Sequence, residues 1–446
     1  MDIRDIISGH ESDTVEFKEG FDKRTIESVV AFANTKGGII VIGVTDDGEV
    51  KGVEVGKQTL NKWVNQISQR TDPKLSPHIH VENVDGKDVV VIEILEFPIK
   101  PVSTGGKCFK RVGSSNRQMT SSEITEMHLS STGMSWDSLP ARGAEERDIN
   151  LEKVEKYIEI ANRIGRKNIK EGALKAIEKL ELVKDGKPSW ASILLFGENP
   201  QKFLSQATIH CGRFKEEATI IDDRLIEGTI VEQIDEAMDF IKKNINVRFE
   251  ITGKPQREEI WDYPLDALRE AVINAVCHRD YADNSDIQIK IYDDRFYIWN
   301  PGGLPYGITV DDLYKPGHPS KPRNKLIAQI FYDMGIIEKY GSGAQRMITA
   351  CKEAGLPEPK FEECFGGFSV TFQIYTEEYL RGMGLNERQI KAVMYVKETG
   401  EINLSSFKSL VTGVSEKTLY RDLQDLVSKG VLKQIGEKKW RKYKLQ

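Results

Sequence analysis

The chain has 446 residues, 39% hydrophobic, 30% charged and 8% aromatic, with a formal net charge of -6; at about 150 residues per domain this suffices for about three domains, and it excludes collagen-like, disordered and membrane classes. Apolar runs such as Gly37–Val44 and Ala191–Gly197 fall far short of the ~18 residues a membrane span needs, MDIRDIISGH has no signal-peptide profile, and the five widely spaced cysteines form no C-x-x-C pair, so a cytoplasmic chain with reduced thiols is expected. Residues 386–446 hold 13 Lys and Arg against 7 Asp and Glu, a basic module on an acidic body that is compatible with nucleic-acid binding.

Breaks at about 129–150 and 376–386 divide the chain into three blocks. In the first, the alternation in Thr14-Val15-Glu16-Phe17-Lys18 predicts a strand with Val15 and Phe17 on its core face, Glu16 and Lys18 on the other, and Glu11 just upstream. A helix carrying Ile26, Val29, Val30 and Ala33 follows, and Asn34–Gly38 then turns the chain into the strand Ile39–Val44, which delivers Asp46 and Asp47 to a Gly48 turn. If the two strands pair, Glu11, Glu16 and one of these aspartates converge at a sheet end beside Lys18. Clustered carboxylates bind Mg²⁺ or Mn²⁺, which activates water against a phosphodiester while a lysine neutralises the phosphate. A surface Glu/Lys pair and an Asp-Asp-Gly turn would give the same sequence. His78 and His80 share a strand face, but with no third ligand nearby they read as a solvated pair. Lys107, Lys110 and Arg111, around Phe109 and just before Gly113-Ser114-Ser115, suit either a backbone-phosphate contact or a solvated edge strand.

ESDTVEFK (11–18), AFANTKGGIIVIGVTDDGEVKG (31–52) and FKRVGSSNRQM (109–119) together resemble the Schlafen AlbA-like domain, over roughly residues 8–128. The resemblance implies nucleic-acid contact, with Lys18, Lys110 and Arg111 as candidates. In nuclease members two glutamates of the first motif and a later aspartate form the metal site; by motif these are Glu11, Glu16 and Asp46, with Asp47 the alternative.

In the middle block, Pro264 suits the first turn of a helix whose apolar stripe is Leu265, Leu268, Val272 and Ala275. Glu270 and Asn274 share another face one turn apart. An amide oxygen there suits Mg²⁺ and a carboxylate suits activation of water, the pairing an ATP site needs. Ile287, Ile289 and Ile291 alternate, Asp293-Asp294 turns, and Phe296 and Ile298 return towards Asn300-Pro301-Gly302-Gly303, where backbone can pass close to a ligand. Tyr340-Gly341-Ser342-Gly343 then feeds a helix N-terminus, which favours phosphate. Residues 150–187 read as a helical connector.

LLFGENPQKFL (194–204), REAVINAVCHRDY (269–281), NPGGLP (300–305), KPRN (321–324) and YGSGAQRM (340–347) make residues 188–375 resemble the GHKL ATP-binding fold, in the subgroup that commonly follows an AlbA-like domain. The resemblance implies that Asn274 binds Mg²⁺, Glu270 is the base, Gly302 and Gly303 line the adenine pocket, and Gly341 and Gly343 meet the phosphates. Asn300 departs from the adenine-reading Asp usual at its position, and the second glycine loop is short.

At the C-terminus, Asn386 with Gln389 caps one helix, Ser405 starts a second, and Ser415 caps a third with the buried stripe Leu419, Leu423, Leu426 and Val427, ended by Gly430. VLKQIGEKKWRKYKLQ reads as a two-stranded basic wing. SEKTLYRDLQDLVSKGVL (415–432) resembles a winged helix-turn-helix, which implies that Lys417, Tyr420 and Arg421 face a major groove while Lys438, Lys439 and Arg441 touch phosphates.

The expected fold class is α/β (α+β): an AlbA-like mixed domain (1–128), a linker and helical connector (129–187), a GHKL-type α/β sandwich (188–375) and a winged helix (386–446). The expected function is a homodimeric, ATP- and Mg²⁺-binding transcriptional regulator that binds duplex DNA, switches through its GHKL-type nucleotide site and makes no use of a membrane. A Schlafen-type nuclease acting on RNA or single-stranded DNA, with Mn²⁺ as a further ion, is the alternative.

Overall fold

The computed structural model describes residues 3–250, 258–305, 307–317, 319–338, 341–437 and 440–446. Lys438, Lys439 and Tyr340 lie outside them. With 40% helix and 23% strand spread over several sheets, the chain is of the mixed α+β class. It divides into two compact units, Met1–Ser135 and Trp136–Gln446. Among the described residues no helix is long and apolar enough to cross a membrane, and all five cysteines carry free thiols.

In the first unit, β1 (Val15–Lys18) lies parallel to β2 (Gly38–Ile42), with Val15 opposite Ile39 and Phe17 opposite Val41. The antiparallel strands β3 (His78–Val84) and β4 (Lys87–Ile94) complete a sheet of order β1-β2-β4-β3, so β3 is an edge. Because side chains alternate along a strand, the sheet has two apolar faces. Ile40, Ile42, Val90, Ile92 and Ile94 pack with helix α2 (Lys23–Ala33), while Phe17, Val41, Val84 and Val89 pack with Ile6 and Ile7 of α1 (Ile3–Ile7). An Asp22–Thr25 capping box starts α2. At its end, buried Asn34 donates to the carbonyls of Val102 and Phe109 and accepts from the Val102 amide, tying the helix to the strand β5 (Lys107–Val112).

The second unit is built on a six-stranded sheet. Its strands are β6 (Ile209–Phe214), β7 (Ile220–Ile226), β8 (Ile287–Ile291), β9 (Arg295–Pro301), β10 (Lys360–Cys364) and β11 (Gly367–Gln373), in the order β7-β6-β8-β9-β11-β10. Only β6 and β8 run parallel. The β8–β9 hairpin turns at Asp293-Asp294, pairing Ile289 with Ile298 and Ile291 with Phe296. Helix α4 (Leu265–His278) packs across β9, with α3 (Ile230–Asn244) and α6 (Gly343–Glu353) against it and α5 (Lys325–Asp333) in the same core. Pro264 is the residue before α4, in extended conformation, rather than within its first turn.

The chain ends in three helices, α7 (Glu387–Thr399), α8 (Leu404–Leu410) and α9 (Glu416–Ser428), and the hairpin β12 (Leu432–Ile435) and β13 (Lys442–Leu445), around a core of their own. Asn386 and Gln389 form a capping box, Ser415 caps α9, and Gly430 follows α9 with φ +71. The second helix starts one residue before Ser405, because Asn403 supplies the cap by accepting from the Ser406 amide.

Candidate functional site

A cavity of about 500 Å³ opens between the C-terminal half of α4, the end of β9 and the start of α6, within the size range of small-molecule sites. Glu270, Asn274, Asn300, Gly302, Gly303, Gly341 and Gly343 all line it, so residues that sequence spacing alone could only place on separate elements meet at one cavity. The α4 register explains its side of the wall. Ala267, Leu268, Ala271, Val272 and Ala275 are buried in the core, which leaves Glu270 and Asn274 on the adjoining face.

At the phosphate-favouring end, the Asn274 amide donates to Glu270 Oε1 at 3.0 Å, and Arg346 Nη2 meets Glu270 Oε2 at 2.7 Å. Both carboxylate oxygens are engaged. With its nitrogen committed to Glu270, Asn274 has its carbonyl oxygen left to offer a cation. Gly343 opens α6 directly against this pair: a Cβ there would stand 2.2 Å from Glu270 Oε1 and 3.1 Å from the Asn274 amide. A Cβ there would require the Glu270 carboxylate, the far end of a flexible side chain, to shift.

At the other end, buried Asn300 donates to the Pro301 carbonyl at 3.2 Å, and Ile298, Leu304, Phe368 and Val370 supply apolar wall. Gly302 has φ +97, and a Cβ on it would lie 3.0 Å from the Asp280 Cβ. The loop is pinned by Arg323, which donates to the Gly303 carbonyl at 3.0 Å, and by the Leu304 amide, which donates to Glu363 at 2.8 Å.

Sequence reasoning missed three further wall residues. Arg346 and Lys321 lie inside the motifs YGSGAQRM and KPRN, where a cation near a glycine loop was the available signal. His278 ends α4, and burial, with the Arg323 charge second, pushes its pKa down to about 4. The imidazole is neutral at pH 7.

The AlbA-like candidates behave differently. Glu16 is buried, and its carboxylate is taken by Arg111, by Lys18 at 2.6 Å and by the Ser28 hydroxyl at 3.0 Å. Glu11 accepts the Phe17 amide at 2.9 Å, and Asp46 and Asp47 are exposed in the turn after β2. Among the described residues these carboxylates do not gather closely enough to share one ion; the group that does is His78, His80 and Glu93. The expectation that no third ligand lies near the histidines is corrected by the register, which sets Glu93 of β4 opposite His78.

Arg111 is likewise corrected as a phosphate contact. It is 3% exposed, donates to the carbonyls of Ser12 and Val15, and stacks over Phe32. Lys110 is paired with Glu123 at 2.5 Å. On α9, Lys417, Tyr420 and Arg421 are exposed, and Arg441 reaches Tyr420 from the hairpin with a 2.8 Å hydrogen bond.

Comparisons with known proteins agree on two regions. Residues 11–120 match the family model described as "Schlafen, AlbA_2", so the first unit carries a Schlafen AlbA_2 domain. Residues 284–372, which run from just before β8 to the penultimate residue of β11, match the model "Putative ATP-dependent DNA helicase recG C-terminal", an ATPase-type domain. Among solved structures, the DIP2311 protein from Corynebacterium diphtheriae is similar at 18% identity and a TM-score of 0.44, with 100% of this chain and 96% of that one covered. The N-terminal domain of a "Putative ATP-dependent DNA Helicase RecG-related Protein" from Nitrosomonas europaea is similar at 23% identity and a TM-score of 0.21, over 27% of this chain and 94% of that one. No curated protein matches.

Proposed function

We propose that the chain is a nucleotide-dependent, DNA-binding regulator whose switch is a GHKL-type ATP site in the α4–β9–α6 cavity. The observation that carries this reading is the close approach of the α6 N-terminus at Gly343 to the Glu270–Asn274 pair, with Arg346 beside them and an apolar wall at the opposite end. The donor set fits a nucleotide and its cation. Free amides and a guanidinium suit phosphate, an amide oxygen suits Mg²⁺, and Asn300 with the Gly302–Gly303 loop suits a base. Bound Mg²⁺ supplies charge neutralisation at the phosphates. Glu270 can take a proton from water only when Arg346 lets go of it, so Arg346 holds the base in reserve until phosphate competes for the guanidinium.

The C-terminal helices and hairpin read as a winged helix, with α9 as the helix for the major groove and Arg441 at the wing. The AlbA_2 match supports a second nucleic-acid contact. The nuclease alternative draws no support from the carboxylates, because Glu16 is neutralised internally by Arg111 and Lys18. Duplex DNA as the target and a homodimer as the working form belong to this proposal.

Isothermal titration of the full chain with ATP tests it. Saturable binding that requires Mg²⁺ is expected; no ATP binding with Mg²⁺ present would overturn the reading.

A further inference from the structure

His78 and His80 stand two residues apart on the edge strand β3 and therefore project from the same face, while the antiparallel register puts Glu93 of β4 directly opposite His78. Their ligand atoms all lie within 4.8 Å of one another, and they are the one group of three or more His, Cys, Asp or Glu side chains among the described residues that does so. His78 Nδ1 and Glu93 Oε2 are 3.6 Å apart, too far for a good hydrogen bond. Two ligands of one tetrahedral zinc ion, each bound at about 2.0–2.1 Å, stand about 3.3 Å apart. The separation is close to that of co-ligands, and it also lies within reach of a loose ion pair.

The His80 ring is short of partners in this arrangement. Its Nδ1 is buried with no hydrogen-bond partner, and its Nε2 lies 3.5 Å from Glu82 Oε1, on the same strand face. A buried polar atom without a partner calls for an explanation, and a bound ion is a common one. One side of the group is closed and the other is open. Val91, opposite His80 on the same sheet face, is 3% exposed and backs it with an apolar residue, while His78 and Glu93 remain open to solvent for entry of an ion.

We propose that the β3–β4 edge of the first unit is a zinc site with His78, His80 and Glu93 as ligands. Two imidazoles and one carboxylate form a set of nitrogen and oxygen donors that suits Zn²⁺, with Ni²⁺ and Cu²⁺ also accepted, and is a poor match for Mg²⁺ or Ca²⁺, which prefer oxygen alone. Three protein ligands leave a fourth position for water, the pattern of an open rather than a closed zinc centre. The ion fastens the edge strand to its neighbour through a cross-strand pair, at the end of β3 remote from Val84, where α1 packs.

The test uses the untagged full chain without nucleotide, titrated with ZnCl₂ by calorimetry and with Co²⁺ by absorption. One equivalent of Zn²⁺ is expected to bind, and the Co²⁺ complex should show d–d bands without the thiolate charge-transfer absorption that a cysteine site would give. His80→Ala and Glu93→Gln should each weaken binding at least about tenfold, with circular dichroism unchanged. Zinc should raise the Tm of the parent and not of the His78→Ala/His80→Ala variant. Zinc affinity unaltered in that double variant, a thiolate spectrum, or no stoichiometric binding by the parent would each overturn the proposal.

Discussion

The Glu16–Arg111 pair shows how much one residue's role depends on a partner far along the chain. Clustered acidic groups repel and need a cation. Here the compensating charges are Arg111, 95 residues away, and Lys18, rather than a metal. Arg111 and Glu16 are 1% and 5% exposed in their side chains, so removing one leaves a buried charge unpaired. Glu16→Ala should therefore destabilise the first unit by about 3–5 kcal/mol, whereas Asp46→Ala, in an exposed turn, should stay within about 0.5 kcal/mol. Urea denaturation of the two variants separates the cases. Equal small effects would mean that the pair does not hold in solution.

At the scale of elements, the parts legible in the sequence were those written in short-range patterns. Alternation placed β1 and the β8–β9 hairpin, an apolar run placed β2, and the caps at Asn386 and Ser415 placed α7 and α9. The Glu270–Asn274 spacing was local too, and so were the two glycine loops that line the same cavity. What stayed hidden needed register or long-range packing: Glu93 opposite His78, Arg111 inside the core, and Arg346 on Glu270 across 76 residues. Asn403 displaced Ser405 as a cap because either residue type can fill that position.

Two predictions belong to this scale. Gly343→Ala should lower ATP affinity at least about tenfold, or about 1.4 kcal/mol, because α6 or Glu270 must move to admit the Cβ; calorimetric titration measures it, and parental affinity would contradict the close approach. Lys417→Ala and Arg421→Ala on the exposed face of α9 should each reduce the salt slope of duplex binding by about one unit. Fluorescence anisotropy at several salt concentrations checks this, and slopes equal to that of the parent would assign α9 to a protein partner instead.

At the scale of the whole molecule, stability depends on pH through His278. Its folded pKa is depressed to about 4 by burial, whereas an unfolded histidine titrates near 6.5. Between those values the unfolded state binds more protons, so stability is full above about pH 6.5 and falls as pH drops towards 4, by roughly 3 kcal/mol in all. Denaturation at pH 7 and pH 5 should show the parent losing stability and His278→Gln losing less of it. Equal losses in the two proteins would remove His278 as the cause.

The same α4 helix that ends in His278 carries the pair on which the proposed function rests. If the cavity is a nucleotide site, Asn274 holds the cation and Glu270 serves only turnover, so the two substitutions part company although their side chains touch. The decisive measurement is a calorimetric titration of ATP and Mg²⁺ into Asn274→Ala and Glu270→Ala, side by side with the parent. Loss of Mg²⁺-dependent binding in Asn274→Ala with binding retained in Glu270→Ala is predicted, and parental affinity in Asn274→Ala would contradict the assignment.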